Sequence, residues 1–343
     1  MKPLQLSPLY KRFSKEAQKG SSVLYSFLSE KIAEDEEILE LAAAANKDQP
    51  NPNLLLGSVH YLLLQGNNHP LRKYFPSLTL HPLRKEEAFL EFRDFCRLNA
   101  SEIRKLLKSK LVQTNEVGRC SYLYPCFSYV HEQFNKPLAL IEIGTSAGLQ
   151  LLWDHYRYCY DGIITSGTPN ASVTIEAEIK SGTFPVLPVL PPPVSHRFGI
   201  DLHVNDLKNE EDLAWLKALI WPEHHERREQ FLKAAQIVQQ NQLQLIEGNG
   251  VDLLPEIIEQ IPDDSIVCVF HTHVANQIVN EVKYQLEETL KQIGQSRNIV
   301  HLYNNMWDEK LHLDMIINGE TKELVIGETD GHGRWFTWEF LRK

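Results

Sequence analysis

Apolar residues recur at helical spacing through the first part of the chain. Val23, Leu24, Phe27 and Leu28 form one stripe, Phe89, Phe92 and Phe95 a second, and Ile103, Leu106 and Leu107 a third. Spacings of three and four residues place each set on one helix face. Pro50, Pro52, Pro70, Pro76 and Pro82 interrupt this half and predict breaks between helices, because proline has no amide N–H to give to a helical turn. No strand pattern precedes residue 136. The texture changes at Leu138-Ala139-Leu140-Ile141, an apolar run that opens through Gly144 and Gly148 into a stretch carrying Leu151, Leu152 and Tyr156. Such a run predicts a buried parallel strand entering a helix. Apolar runs follow at 198–202, 243–246, 265–270 and 298–303. Between them lie amphipathic stripes at Leu213, Leu216 and Ile220 and at Phe231, Leu232, Ala235 and Val238.

Strands alternating with helices predict an α/β fold with a mostly parallel, doubly wound sheet. The end of the chain differs. Residues 313–317, the pair Asn318-Gly319 and residues 323–326 predict an antiparallel hairpin, and the aromatic stretch Arg334 to Phe340 a third strand. Residues 160–196 hold a strand at 173–179 and the proline-rich FPVLPVLPPPV, read as an inserted hairpin with a stiff loop. Two domains are therefore expected: an all-helical one over 1–135, suited to act as a lid and specificity element, and a sheet domain over 136–343.

Composition narrows the class. The 343 residues are 43% hydrophobic and 23% charged, ordinary for a soluble globular protein. No apolar run approaches the roughly 20 residues that cross a bilayer, and MKPLQLSPLYKRF lacks the apolar core of a signal peptide. A cytoplasmic protein with no membrane partner is expected. Five widely spaced cysteines without a C-x-x-C pair fit reduced thiols. A net charge of −10 favours a small-molecule partner over nucleic acid, whose binding rests on neutralised phosphates. Arg104, Lys105, Lys108 and Lys110 form a local basic run, most simply a solvated helix face. Oligomeric state is not readable from the chain.

The segment that carries chemistry is Glu142-Ile143-Gly144-Thr145-Ser146-Ala147-Gly148. Glycines where a strand enters a helix leave amide N–H groups open to a polar ligand, and an isolated buried Glu142 would be costly. Read literally, Gly144 to Gly148 is also G-x-S-x-G, the nucleophile elbow of α/β-hydrolases, with Asp201 or Asp252 and then His332 in the order of a triad. Topology argues against that reading. The elbow lies in mid-sheet, so strands should precede it, whereas a long helical half precedes Ser146. At the end of the fourth apolar run, His271 and His273 would share one side if extended. A metal pair there lacks a third ligand, so no metal is expected.

EIGTSAG resembles motif I of the class I S-adenosylmethionine-dependent methyltransferases, an acid followed by G-x-G-x-G, with Ser146 in place of the middle glycine. The resemblance implies a Rossmann-like sheet whose glycine turn follows its first strand, an antiparallel end, and S-adenosylmethionine as cofactor. Its methionine part would face Glu142, Gly144, Thr145, Ser146 and Gly148. The ribose would meet Asp201, at the end of RFGIDL, although Asp201 comes far later after the glycines than the roughly 20 residues usual for that acid; Glu176 is the alternative. Asn249, in EGNGVD, would meet adenine. His271 and His332, the latter in GHGRW, are the candidate acid–base residues. Asn115, Glu116 and Arg119, in TNEVGR, would close over cofactor or acceptor. With RFGIDL and WLKALIWP these segments also resemble an uncharacterised bacterial family with a methyltransferase-like C-terminal half. The expected function is methyl transfer to an unidentified small molecule. A serine hydrolase, and a non-catalytic protein that keeps the fold, are the alternatives; Ser146 and Asn249, both departures from the commoner pattern, keep the last one open.

Overall fold

The computed structural model describes residues 5–113 and 115–339. Thr114 of the TNEVGR segment and Phe340, the expected end of the last strand, lie outside them. The chain divides into two compact units: Met1–Thr114 with Lys208–Leu232, and Asn115–Leu207 with Lys233–Lys343. This division differs from a cut at residue 136.

The first unit is helical. It contains α1 (Ser7–Lys19), α2 (Val23–Ile32), α3 (Glu36–Ala42), α4 (Asn51–Leu64), α5 (Ala88–Leu98) and α6 (Ala100–Ser109). Helix α7 (Cys120–Phe134) belongs to the second unit, and α8 (Glu210–Leu219) returns to the first. Leu54, Leu55, Leu56, Phe92, Phe95 and Trp215 share one buried core, each contributing about 1.5–3 kcal/mol by leaving water. Polar contacts fix the returning segment. Trp215 Nε1 donates to Leu111 O at 2.8 Å, and buried His60 bonds Ala218 O through Nδ1 at 2.8 Å. Glu223 accepts from Ser22 Oγ and Leu24 N, both at 2.7 Å, at the start of α2. The stripe Leu213, Leu216, Ile220 announces an amphipathic helix but not what it packs on, so its place in the helical unit could not be read from spacing.

The second unit is built on a mostly parallel sheet. Its strands are β1 (Leu138–Ile143), β2 (Arg157–Tyr160), β3 (Ile164–Gly167), β4 (Thr174–Gly182), β5 (Val194–Asp201), β6 (Gln244–Glu247), β7 (Ile266–His271), β8 (Ile299–Asn304), β9 (Lys310–Ile317), β10 (Glu320–Lys322), β11 (Val325–Glu328) and β12 (Trp335–Trp338). The main sheet runs β10-β9-β8-β7-β1-β5-β6, with β11 also on β9. Strands β6, β5, β1, β7 and β8 are parallel; β9 is antiparallel to β8. All residues of β1, β7 and β8 are buried, which is why they read as unbroken apolar runs. Side chains alternate between faces. Ala139, Ile141, Ile143, Val267 and Val269 meet Val251, Leu254 and Ile257 of α10 (Gly250–Glu259) and Leu286 and Leu290 of α11 (Asn280–Gly294). Phe270, on the opposite face, meets Phe127 of α7 edge-on at 5.3 Å.

The Asn318-Gly319 hairpin forms as expected. Both residues are left-handed, φ 52° and 83°, as a type I′ turn requires. Three other expectations change. The glycine turn leads into a 3-10 segment, Leu149–His155, with non-helical angles at Leu152, not into an α-helix. Asp154 is held there by a two-point ion pair to Arg197 of β5, at 2.7 and 2.8 Å, and the chain turns at once into β2. A segment this short supplies little macrodipole. Residues 157–182 make more than an inserted hairpin: they form a second sheet, β12-β4-β2-β3. Its β12 lies parallel to β4, and an isolated antiparallel bridge, Thr329 to Phe336, ties it to the segment after β11. The aromatic character of β12 explains the pairing, since Phe336 packs edge-on to Tyr160 at 5.9 Å beside the stacked Tyr158 and Tyr124.

Candidate functional site at the carboxyl edge

From β1 the chain runs out through β5 to β6, then returns to β7 and β8 on the other side. In such sheets ligands bind beyond the carboxyl ends of the strands where the order reverses. At that edge β1 ends in Glu142 and the glycine turn, β5 in Asp201, and β7 in His271, followed by Thr272 and His273.

Three alternate residues of the turn are left-handed: Gly144 at φ 76°, Ser146 at 51° and Gly148 at 76°. The middle one is a non-glycine residue in a conformation that is seldom adopted. Hydrogen bonds fix it. Gly144 N and Thr145 N donate to Ile200 O, and Ser146 N donates to Asp201 Oδ2 at 2.7 Å. The second Asp201 oxygen accepts from His203 N at 3.1 Å. The space beside the glycines is already used by protein. A Cβ on Gly144 would lie 2.3 Å from Val274 Cγ2, and one on Gly148 2.6 Å from Leu243 Cδ1. The glycines therefore serve close packing of the turn, where the sequence suggested close approach of a ligand.

Glu142 is 3% exposed and accepts from Thr145 Oγ1 at 2.7 Å. Burial pushes its carboxyl up to about 8, and the charge of Asp201 adds to the rise while the Thr145 bond and Arg119 oppose it. Asn249 caps α10, its Oδ1 accepting from Val251 N at 3.0 Å. Glu176 sits in the second sheet opposite Cys159, away from this edge of the main sheet; Asp201 ends the strand next to β1.

A polar cluster from three distant segments assembles beside β1 and β7. His332 Nδ1 donates to Glu116 Oε2 at 2.8 Å; Glu116 is 4% exposed. Arg119, 6% exposed, donates from Nε to Gly331 O at 2.9 Å and from Nη1 to the carbonyl and hydroxyl of Thr272 at 3.2 and 3.3 Å. Thr272 Oγ1 donates to Gln150 Oε1 at 3.1 Å. Tight backbone packing holds the cluster: a Cβ on Gly333 would lie 2.0 Å from Gly118 O, and Ser121 Oγ donates to Gly333 O at 2.8 Å. A histidine oriented through one ring nitrogen by a buried carboxylate presents its other nitrogen for proton transfer.

The two histidines of the β7 end separate. His271 is buried with Val267 and Val269 on the α11 face, and its Nε2 shares a hydrogen bond with His301 Nε2 at 3.1 Å. Burial pulls it down to about 4, and it does not join the Glu116 cluster. His273 is left-handed, φ 56°, which ends the alternation expected of an extended pair. It turns instead toward Gly331, whose Cβ position lies 3.7 Å from His273 Cε1. No sequence motif singles out Gln150, Thr272 or Asn205: they come from three separate segments, and only the fold brings them to the edge.

The hydrolase triad is not assembled. Ser146 is 4% exposed, and its Oγ accepts from Asn205 Nδ2 at 3.1 Å. Asp201 holds backbone amides, Asp252 accepts from Gln285 at 3.2 Å, and His332 is bonded to Glu116. Among the described residues no group of three or more histidine, cysteine or acidic side chains is placed to hold a metal ion.

These features define a mixed α/β protein with a mostly parallel sheet, a helical N-terminal region and a polar cluster at the carboxyl edge of the sheet. The family model described as "Uncharacterized protein conserved in bacteria (DUF2332)" matches residues 8–338, and the chain belongs to that family. Neither the curated proteins nor the solved structures contain a match to it. Among the described residues no helix is long and apolar enough to cross a membrane.

Proposed function

We propose that the protein is an S-adenosylmethionine-dependent methyltransferase acting on a small-molecule acceptor. The observation that carries the reading is the turn at the end of β1. Its residues 144, 146 and 148 are left-handed, a backbone that glycine adopts most readily, and its central amide is held by the acid that ends the neighbouring strand. The parallel strands follow the order in which a dinucleotide-type ligand lies over that turn. The residues present fit the cofactor. Asp201, oriented by two backbone amides, offers a carboxylate to ribose hydroxyls. Glu142 and Thr145 would hold the methionine part, and a cationic amine there would favour the charged form that burial disfavours. Asn249, with Oδ1 spent on its helix, has Nδ2 to give to adenine. When bound, the cofactor supplies an electrophilic methyl group. The chain would position the acceptor, and His332, oriented by Glu116, would take the acceptor's proton in the place the sequence also offered to His271.

Equilibrium dialysis against methyl-tritiated S-adenosylmethionine tests the assignment. Asp201→Asn should weaken binding by about tenfold or more, through loss of charge-assisted bonds, and Glu176→Gln should leave it unchanged. The reverse pattern, or labelling of Ser146 by a fluorophosphonate, would reject it.

A further inference from the structure

We infer that Arg119 and His273 form a clamp for a carboxylate carried by the methyl acceptor. The clamp stands on geometry; naming its ligand the acceptor rests on the transferase reading above. Arg119 is 6% exposed, yet its hydrogen-bonding partners among the described residues are the neutral oxygens of Gly331 and Thr272. Glu116, its neighbour in sequence, turns its carboxylate to His332 and to the Gly118 amide. A buried guanidinium without an acid in contact is costly, and Nη2 still has two N–H groups to give.

His273 supplies a second donor. Asn305 Nδ2 donates to its Nδ1 at 3.2 Å, so the ring proton sits on Nε2. That Nε2 is buried and meets no acceptor. Its left-handed backbone, φ 56°, is the kind of local strain that collects at ligand sites. Arg119 and His273 both flank Gly331: Arg119 Nε donates to the Gly331 carbonyl, and His273 Cε1 lies 3.7 Å from where a Gly331 Cβ would stand. Two unmatched donors, one of them on a guanidinium with no carboxylate in ion-pair contact among the described residues, match a planar monoanion with two oxygens. A phosphate would bring about two negative charges against one. The clamp lies past β7, on the side of β1 opposite β5 and Asp201. That is the acceptor's side if the ribose is on Asp201, and His332 stands next to it.

Side-chain nitrogen NMR of the full chain, labelled at histidine, tests this with sodium acetate and sodium benzoate as probes against equal sodium chloride. The expected result is a saturable shift at His273 Nε2 with either carboxylate and none with chloride, persisting under saturating S-adenosylhomocysteine. Arg119→Gln should weaken it about tenfold or more. If that variant fails to fold, His273→Phe should weaken carboxylate binding, read by calorimetry, to the same extent. No saturable shift, or unchanged affinity in the variants, overturns the clamp. Competition by S-adenosylhomocysteine overturns the acceptor assignment, because the carboxylate is then the cofactor's own. Carboxylate binding in a protein that ignores S-adenosylhomocysteine rejects the transferase reading and leaves the clamp standing.

Discussion

Glu142 shows how one side chain can be both a cost to the fold and a resource for ligand binding. Its carboxyl titrates near 4.5 when unfolded and near 8 when folded. Across that window the folded state keeps a proton that the unfolded state has released, so stability falls as pH rises through it. Glu142→Gln keeps an oxygen for Thr145 to bond and removes the titration. In urea unfolding, the stability of wild type relative to this variant should fall by roughly 3 kcal/mol between pH 5.5 and pH 8. A difference that does not change with pH would mean that Glu142 is not held protonated. At this scale the sequence was informative about residue type. An acid before a glycine turn, a histidine between glycines and the segment holding Glu116 and Arg119 all stood out. Their pairing did not, because Glu116 and His332 are brought together at 2.8 Å from opposite ends of the second unit.

Elements were legible where periodicity alone decides them. The parallel strands announced themselves because both their faces are covered, and the Asn318-Gly319 hairpin because only a left-handed pair closes it. The 3-10 segment after the glycine turn was not legible. Leu149, Leu151, Leu152 and Trp153 are all buried, so its composition reads as helix, and the Arg197–Asp154 pair that redirects the chain is a long-range contact. The same holds for β12, whose partner strand β4 lies far back in the sequence. The glycine turn gives a test of packing. Gly144→Ala should cost roughly 2–4 kcal/mol, from left-handed strain and from overlap with Val274. Val274→Ala should relieve the overlap but not the strain, so in urea unfolding the double variant should be less destabilised than the two single costs combined by about 1 kcal/mol or more. Strict additivity would show that Val274 does not fill the space beside Gly144. Gly144→Val is for the same reason a poor probe of ligand binding, since it disturbs the fold directly.

At the scale of the molecule, the helical half and the sheet half were visible as a change of texture near residue 136. The return of Lys208–Leu232 to the helical unit was not, since an amphipathic stripe names no partner. Family membership over residues 8–338 spans both units. The proposed binding of S-adenosylmethionine at the carboxyl edge of the sheet is tested most directly by calorimetric titration of wild-type protein with that ligand or its demethylated product. Saturable heat is expected, accompanied at about 100 times Kd by stabilisation near 2.7 kcal/mol, a rise in Tm of roughly 4 °C. No heat and no change in Tm at millimolar ligand would contradict it.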